Sequence, residues 1–462
     1  MNENIITELQ NILEDKKVLT GQAVAERYHH IWEMDKPLQA KAVILPRNTQ
    51  DVADTLKYCY KHHQKVVVHG GLTNLVGSTE TSQDEVVISL EKLNQIEEVD
   101  SQSRTITVQA GVIIENIQNA AQANDLFFSL NFGAKGSAQI GGAIATNAGG
   151  LRVFRYGMTR NLVLGLEVVL ADGTIISSMK KIIKDNSGYD LKQMFVGAEG
   201  TLGIITKAIL KLEEAPKSRN SAFVGLKNYN DVVALLKFMD SGLSGSLSSF
   251  ELIWQNTYNV FTSPADVKAP LPSDYPYYVL LDSLGSDQSS DHQAMETLLA
   301  EALAEGLIED AAMAYTQSDI EWFWRIREDV HVLNTVMQNN GQHFDISLPI
   351  PLIGELVEKI YQNLMAINGV EECYTFGHVA DGNIHFVVDK TNLSSELRKA
   401  IDLAVYSPLK AIGGSVSAEH GIGVHKRDYL KWCRNPSEIE LMKLLKKTLD
   451  PRGILNQGKI FE

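Results

Sequence analysis

Residues 133–150 read GAKGSAQIGGAIATNAGG, and this stretch is the strongest indication of the fold in the sequence. From Gly133 to Gly157 there are seven glycines, about four times the average usage of ~7%. Glycine has no Cβ, so the backbone can approach another group closely at these positions. The remaining residues of the stretch are mostly apolar. The pattern therefore predicts backbone that lies directly against another group.

A second glycine-rich segment, HGGLTNLVGS at residues 69–78, directly follows the predicted strand Val66–Val68. Glycines at the end of a strand allow successive N–H groups to converge on an anion, and Thr73, Asn74 and Ser78 add side-chain donors. Taken alone, the segment is explained equally well as an ordinary glycine-rich turn. Together with the cluster downstream, it is a candidate loop for a pyrophosphate.

A third segment, GAEGTLGII, occupies residues 197–205. Three such motifs in this order resemble the FAD-linked oxidases of the vanillyl-alcohol oxidase and p-cresol methylhydroxylase type. Within them, the chain resembles the branch of D-2-hydroxyglutarate, D-lactate and glycolate dehydrogenases over nearly its whole length. The resemblance implies an FAD cofactor with its pyrophosphate on the first loop. It further implies that the isoalloxazine and adenosine follow the second cluster and that the adenine lies near the third segment.

The resemblance assigns flavin contacts to residues of all three segments. They are Gly70, Gly71, Thr73, Asn74, Gly77, Ser78, Gly136, Ser137, Gly141, Gly142, Thr146, Asn147, Gly149, Gly200, Ile204 and Ile205. The family often has Pro where Val68 stands, and this branch often has Asn where Ala143 stands, but neither difference removes a backbone donor. Because His69 is not at the family's usual covalent attachment position, we expect a non-covalent flavin.

A candidate hairpin, GHVADGNIHF, covers residues 377–386. Asp381 and Gly382 form a favoured centre for a two-residue turn, which would place His378 directly opposite His385. Opposed side chains have Cβ atoms about 4.5–5.5 Å apart on one face, so the two imidazoles are predicted to share a metal. Taken alone, two edge-strand histidines bonded to water or carboxylates are the commoner explanation.

The segment SAEHGIG at residues 417–423 places an acid and an imidazole beside two glycines. In the resembled family, the two hairpin histidines and this glutamate bind a divalent metal, often zinc, and the next histidine is the catalytic base. The resemblance thus implies His378, His385 and Glu419 as ligands and His420 as the base. A set of two histidines and one glutamate leaves coordination positions open for substrate, as in a catalytic site.

A predicted helix near Asp319–Gln338 carries Arg327, His331 and Asn334 at i, i+4 and i+7, which aligns them as a polar stripe. For an arbitrary helix, a solvated face is the commoner explanation of such a stripe. The resemblance favours Arg327 as the residue that binds the substrate carboxylate, because a planar guanidinium forms two parallel hydrogen bonds with it.

The substrate pocket departs from the D-2-hydroxyglutarate branch, which typically has Thr and Lys where His331 and His343 stand, and Asn where Val387 stands. Losing a fixed cation and an amide weakens recognition of a second carboxylate near neutral pH. We therefore predict a different D-2-hydroxy acid as the preferred substrate, with a smaller or apolar side chain. D-2-hydroxyglutarate and glycolate remain the alternatives within the family. The resemblance implies that His331 and His343 contact the substrate together with Arg327.

The C-terminal stretch DPRGILNQGK, residues 450–459, resembles the family's terminal signature, with Gln457 where Pro is usual. In relatives this tail folds back toward the flavin, so the resemblance implies that Asn456 lies near the ring. A frayed polar tail is the alternative.

The fold class expected is α+β. A β-rich region gives way after Pro216 to alternating strands and helices, which suits an antiparallel sheet covered by helices on one face. The predicted parts are an N-terminal helical segment (1–37), an FAD-binding domain of two α+β subdomains of the p-cresol methylhydroxylase type (38–217), a cap domain for substrate with the metal-binding hairpin (218–402), and a helical C-terminal segment that returns to the flavin (403–462).

The amino-acid composition argues against some classes of function. A formal charge of −15 argues against binding of nucleic acid. Cys59, Cys373 and Cys433 are far apart and show no paired spacing, which indicates a reducing compartment and a cytoplasmic location. No apolar stretch reaches the roughly 20 residues of a membrane span.

These features predict a dehydrogenase that binds a small 2-hydroxy acid at the metal and Arg327, removes the hydroxyl proton with His420, and passes a hydride to the flavin. A separate acceptor would then take the electrons: an electron-transfer flavoprotein, a quinone or a cytochrome. The only ground for expecting a homodimer is the resemblance to the family. Three alternatives remain: a metal-dependent hydrolase with the same ligands, a non-catalytic flavin-containing protein, and a relative of alkyl-dihydroxyacetone-phosphate synthase without net redox chemistry.

Overall fold

The computed structural model describes residues 2–28, 36–264, 266–337 and 340–461. Helices and strands are mixed along the chain, so the predicted α+β class is confirmed. The chain divides into two compact units. The first unit contains residues 1–149, 157–215 and 419–462, and the second contains residues 150–156 and 216–418. Part of the predicted N-terminal helical segment, residues 29–35, lies outside the described residues.

The elements are numbered here along the chain. The strands are β1 (Val18–Leu19), β2 (Ala42–Ile44), β3 (Val66–His69), β4 (Val86–Ser89), β5 (Ile96–Asp100), β6 (Thr105–Gln109), β7 (Leu126–Phe127), β8 (Val163–Val169), β9 (Ile175–Ser178), β10 (Ile204–Lys211), β11 (Glu213–Glu214), β12 (Ser218–Leu226), β13 (Leu247–Trp254), β14 (Tyr277–Gly285), β15 (Asp310–Met313), β16 (Gln342–Ser347), β17 (Val370–His378) and β18 (Asn383–Lys390). The α-helices are α1 (Asn2–Ile12), α2 (Gln22–Ala25), α3 (Thr49–Lys61), α4 (Ile114–Gln122), α5 (Ile140–Thr146), α6 (Val153–Tyr156), α7 (Thr159–Leu162), α8 (Tyr229–Gly242), α9 (Gln255–Phe261), α10 (Gln288–Ala304), α11 (Gln317–Glu328), α12 (His331–Met337), α13 (Ile353–Met365), α14 (Ser395–Tyr406), α15 (Leu430–Cys433) and α16 (Pro436–Leu449).

The first unit is built on two main sheets. One has the order β1-β2-β4-β3, with β2 and β3 parallel to β4, and the other is antiparallel in the order β5-β6-β10-β8-β9. Helix α3 connects β2 to β3 and begins after Asn48, whose side chain accepts from the Asp51 N–H. Its Val52, Leu56 and Cys59 are fully buried in a core that includes residues of both sheets. These sheets support the loops that carry the glycine segments.

The end of the chain is anchored beside β3. The Val66 N–H donates to the Ile454 carbonyl at 2.8 Å, and the Asn456 N–H donates to the Val66 carbonyl at 2.9 Å. The Lys446 ammonium donates to the carbonyl oxygens of Thr201 and Leu455. The tail from α16 onward is therefore part of the first unit's core rather than a frayed terminus.

The second unit contains one seven-stranded sheet in the order β15-β12-β14-β13-β17-β18-β16, and every neighbouring pair is antiparallel. One face of this sheet packs against α9, α11 and α12 through an aromatic cluster that includes Phe323, Phe376 and Tyr258. The predicted continuous helix from Asp319 is wrong, because α11 ends at Glu328 and α12 begins at His331. Its predicted end, Gln338, lies outside the described residues.

No helix among the described residues is long and apolar enough to cross a membrane.

Candidate active site

The hairpin between β17 and β18 brings the two predicted metal ligands together, but in a register that differs from the prediction. Four residues, 379–382, connect the strands through a single 3-10 turn, and Gly382 has φ 81°. His378 therefore pairs with Asn383, and His385 pairs with Phe376. The predicted direct pairing of the histidines is wrong because the 3-10 turn uses two more residues than a two-residue turn.

The two imidazoles nevertheless meet. A displacement of two residues along a strand keeps a side chain on the same face, since side chains alternate with a period of two. The Nε2 atoms of His378 and His385 are 3.4 Å apart. Two nitrogens bound to one tetrahedral zinc at about 2.0–2.1 Å would be about 3.3 Å apart. The pair thus has the spacing of two ligands of one metal.

Glu419 completes the candidate ligand set. His378, His385 and Glu419 each offer one ligand atom, and these atoms all lie within 4.8 Å of one another. Glu419 directly follows Ala418, whose N–H donates to the Asp345 carboxylate at 2.9 Å. Two imidazoles and a carboxylate are donors that suit zinc and similar divalent metals. The residues present therefore fit the divalent metal that the family resemblance implied.

Glu251 on β13 is a residue of this site that the sequence analysis missed. It is fully buried, and its Oε1 accepts from His378 Nδ1 at 2.7 Å. Its Oε2 accepts from Arg327 Nε at 2.9 Å and lies 2.8 Å from Arg327 Nη2 as an ion pair. Burial by itself raises the pKa of Glu251, but His378 and Arg327 outweigh burial and hold that pKa below its ordinary value. The carboxylate therefore stays ionised between two donors.

The contact with Glu251 determines which nitrogen of His378 faces the cluster. With Nδ1 donating to a carboxylate, the lone pair of Nε2 is left for a metal, the arrangement that commonly orients metal-bound histidines. The sequence did hold a signal for this residue. Glu251 is the one acidic residue in the otherwise uncharged strand β13, and a single charge in a buried strand normally has a buried partner.

Arg327 on α11 is 5% exposed and stacks over Phe376, with its guanidinium carbon 4.7 Å from the ring centroid. Its Nε and Nη2 both contact the Glu251 carboxylate. Within the described part of the chain, Nη1 contacts no carboxylate. Its role in binding a substrate carboxylate stays a prediction. The predicted polar stripe is wrong, because His331 and Asn334 lie on α12, after a non-helical break at Asp329.

His343 and His331, the other predicted substrate residues, differ in position. His343 lies on β16 directly across from Val387 and is half-buried, on the face of the sheet that carries His385. His331 is exposed at the start of α12. Asp345, two residues from His343, pairs with His385 and is fully buried. Each candidate histidine ligand thus has a buried carboxylate on the neighbouring strand.

In the first unit, the loop after β3 and the second glycine segment lie against each other. A Cβ on Gly71 would overlap the Ser137 carbonyl oxygen, and one on Gly70 would come 3.7 Å from the Gly142 Cα. A Cβ on Gly142 itself would meet no atom within 4 Å, so open space adjoins the backbone at the start of α5. A strand end and a helix start lined by glycine backbone fit a pyrophosphate or a flavin ring.

The other predicted flavin residues also have defined positions. Asn74 holds its loop closed, since its Nδ2 donates to Thr79 and its Oδ1 accepts from the Ser78 N–H at 3.0 Å. Asn147 ends α5 with φ 50° and accepts from the Arg160 N–H at 2.9 Å. The remaining polar and glycine residues are half-buried (Thr73, Thr146), exposed (Gly136, Ser137) or buried (Gly77, Gly141, Gly149), and Ile204 and Ile205 are buried at the start of β10.

Asn456 and Glu199 connect the segments of this unit. Asn456 is 4% exposed, its Oδ1 accepts from the Val68 N–H at 2.9 Å, and its Nδ2 donates to the Glu199 carbonyl at 2.7 Å. The Glu199 carboxylate, which the sequence analysis did not single out, accepts from the N–H groups of Ile422 and Gly423 at 2.8 Å. Asn456 therefore binds backbone with both ends of its amide, beside Gly200 of the third glycine segment.

Comparison with known proteins decides the family. Residues 40–178 match the FAD binding domain model, and residues 215–460 match the model of the C-terminal domain of FAD linked oxidases. The chain belongs to the FAD-linked oxidase family. D-2-hydroxyglutarate dehydrogenase of Arabidopsis thaliana is 35% identical over 98% of this chain and 81% of that protein. A putative D-lactate dehydrogenase of Schizosaccharomyces pombe is 34% identical over 98% of this chain and 88% of that protein.

Solved structures support the same fold. P-cresol methylhydroxylase has a TM-score of 0.78 at 16% identity, over 99% of this chain and 96% of that one. An alkyldihydroxyacetonephosphate synthase also has a TM-score of 0.78, at 14% identity, over 98% of this chain and 85% of that one. As a member of the family the chain is an FAD-dependent oxidoreductase. This assignment displaces the metal-dependent hydrolase and the non-catalytic protein as alternatives.

Proposed function

We propose that this FAD-linked oxidase is a metal-assisted dehydrogenase that converts a D-2-hydroxy acid into the 2-oxo acid. The observation that carries the proposal is the pair of Nε2 atoms 3.4 Å apart, with His378 oriented by a buried carboxylate. A histidine pair held in this way is suited to binding a metal rather than to filling a core. The relatives named for D-2-hydroxyglutarate and D-lactate act on acids of this class.

Each residue has a defined task in the proposed reaction. His378, His385 and Glu419 would hold the divalent metal, zinc by its donor set, which when bound lowers the pKa of the substrate hydroxyl. His420 accepts the hydroxyl proton. Arg327 binds the substrate carboxylate through Nη1, the nitrogen that Glu251 does not occupy. Non-covalently bound FAD supplies the redox chemistry as the hydride acceptor.

The surroundings of His385 favour a substrate with a small or apolar side chain. Phe376, opposite His385, and Val387, two residues along, are buried in the aromatic cluster of the second unit. Next to them, His343 offers an imidazole in place of the fixed cation of a lysine, which makes it a weaker partner for a second carboxylate. D-lactate is therefore proposed as a better substrate than D-2-hydroxyglutarate.

Anaerobic mixing with 2-hydroxy acids tests the proposal. Purified protein is combined with D-lactate, D-malate, D-2-hydroxyglutarate and, as a stereochemical control, L-lactate, while the flavin absorbance is followed. We expect bleaching by the D-acids, fastest with D-lactate, and its loss after chelation with recovery on adding zinc. Bleaching by none of the acids would contradict the proposed reaction. A clear preference for D-2-hydroxyglutarate would contradict only the substrate assignment.

We also propose that turnover requires a separate electron acceptor: an electron-transfer flavoprotein, a quinone or a cytochrome. Oxidation of a 2-hydroxy acid to the 2-oxo acid releases two electrons and two protons, so a second compound must accept the electrons before the next turnover. Slow reoxidation by oxygen combined with fast reoxidation by one acceptor class would support this. A cytoplasmic location is proposed from the spacing of the three cysteines, and a homodimer from the resemblance to the family alone.

A further inference from the structure

Asn383, the first residue of β18, carries a buried amide without a partner. The residue is 3% exposed, and neither Oδ1 nor Nδ2 has a hydrogen-bond partner within the described structure. Its backbone N–H is accounted for, since it donates to Asp381 Oδ1 at 3.1 Å. Buried polar side-chain atoms are hydrogen-bonded in the large majority of cases. An amide with both ends unpaired therefore indicates a site that a ligand completes.

The position of this amide relates it to the two candidate histidine ligands. Asn383 pairs directly with His378 across β17 and precedes His385 by two residues on its own strand. Directly opposed residues have Cβ atoms about 4.5–5.5 Å apart, and residues two apart on a strand point to the same face. The amide of Asn383 thus shares one face of the sheet with both candidate metal ligands.

Arg327 leaves room for a second donor at this face. Its Nε donates to Glu251 Oε2 and its Nη2 lies 2.8 Å from the same oxygen, so that edge of the guanidinium is already occupied. A carboxylate that meets Nη1 would then accept from only part of the guanidinium. An additional N–H donor nearby would complete its binding.

We propose that Asn383 is a substrate-binding residue whose Nδ2–H donates to a carboxylate oxygen of the 2-hydroxy acid. The inference rests on the proposed function, since the ligand is the substrate of that reaction. Asn383 stands apart from Asn220, another buried asparagine of the same sheet with an unpaired Nδ2. The Oδ1 of Asn220 accepts from Gln288 and His292, and its strand β12 is three strands away from β17.

The test compares Asn383→Ala with Asn220→Ala in the FAD-loaded, zinc-loaded protein. Steady-state kinetics give kcat and KM for D-lactate, and competitive inhibition by pyruvate gives the affinity of the product. Loss of one hydrogen bond to a charged group predicts an increase of about 10- to 100-fold in KM and in the pyruvate inhibition constant for Asn383→Ala. The flavin content and the zinc affinity should remain within about threefold of the wild type. Asn220→Ala should lower Tm without changing KM.

Further variants keep the inference falsifiable if Asn383→Ala folds poorly. Asn383→Ser is smaller and retains a donor, so it should recover part of the substrate affinity, whereas Asn383→Asp should weaken it further by like-charge repulsion. An unchanged KM in Asn383→Ala, or a loss of zinc binding with KM unchanged, would overturn the inference while the wild type still bleaches with D-acids. Failure of the wild type to bleach with any D-acid would instead overturn the proposed function.

Discussion

Glu251→Gln should weaken metal binding without disrupting the fold. The wild-type carboxylate is fully buried and accepts two charge-assisted hydrogen bonds, from His378 Nδ1 at 2.7 Å and from Arg327 Nε at 2.9 Å, and Arg327 Nη2 lies 2.8 Å from it as an ion pair. Glutamine keeps the shape but has one acceptor oxygen, so its NH2 group faces one of the donors. Loss of a carboxylate that orients a metal-bound histidine costs about 10- to 100-fold in metal affinity, or about 1.4–2.7 kcal/mol.

The same change should lower stability, because it leaves the buried Arg327 cation without its counter-charge. Removing one partner of a buried ion pair costs about 3–5 kcal/mol, and we expect the isosteric glutamine to lie near the lower end. Urea unfolding of the metal-free protein measures this cost. Zinc titration against a chromophoric chelator measures the affinity separately on protein that is still folded.

Asp282→Asn is a matched control for Glu251→Gln. Asp282 is also a buried carboxylate of the second unit's sheet, on strand β14 next to β13, and it accepts from Arg219 Nε at 2.9 Å, but it does not contact His378. We expect this variant to lose stability while its zinc affinity stays within about threefold of the wild type. Equal zinc affinity in Glu251→Gln and the wild type, or equal losses in both variants, would refute the reasoning.

Three further predictions follow from the same structure. His420→Ala should retain bound flavin but lose its reduction by substrate, and a bleaching rate close to the wild type in stopped-flow mixing would dismiss His420 as the base. FAD should pass through a filter after denaturation of the protein, and yellow colour retained with the polypeptide would show covalent attachment. Burial raises the pKa of Glu199 and outweighs the hydrogen bonds that the carboxylate accepts, which lower it. Keeping this carboxylate ionised in the folded protein therefore lowers the free energy of unfolding at pH values above the unfolded pKa of about 4.3. The wild type should therefore gain Tm relative to Glu199→Gln as the pH falls from 7 to 4.5, and a pH-independent difference would speak against this.

The sequence by itself predicted those features that depend on the backbone conformation of neighbouring residues. Gly71 is required because a side chain there would overlap the neighbouring glycine segment, and such positions are visible as glycine clusters. His378 and His385 are seven residues apart around a turn, so their meeting on one face followed from strand alternation even though the register was wrong. The error arose because Asp381 and Gly382 belong to a four-residue connection.

Only the tertiary structure decided which buried groups surround these histidines. Glu251 is 127 residues from His378 and 76 from Arg327, and no local pattern joins them. They meet because β13 pairs with β17 in the sheet order and α11 packs over that face. The order of strands in a sheet depends on which apolar faces of the sheet and helices are buried against each other. A carboxylate and its partners can therefore lie far apart in sequence and still form one charge network.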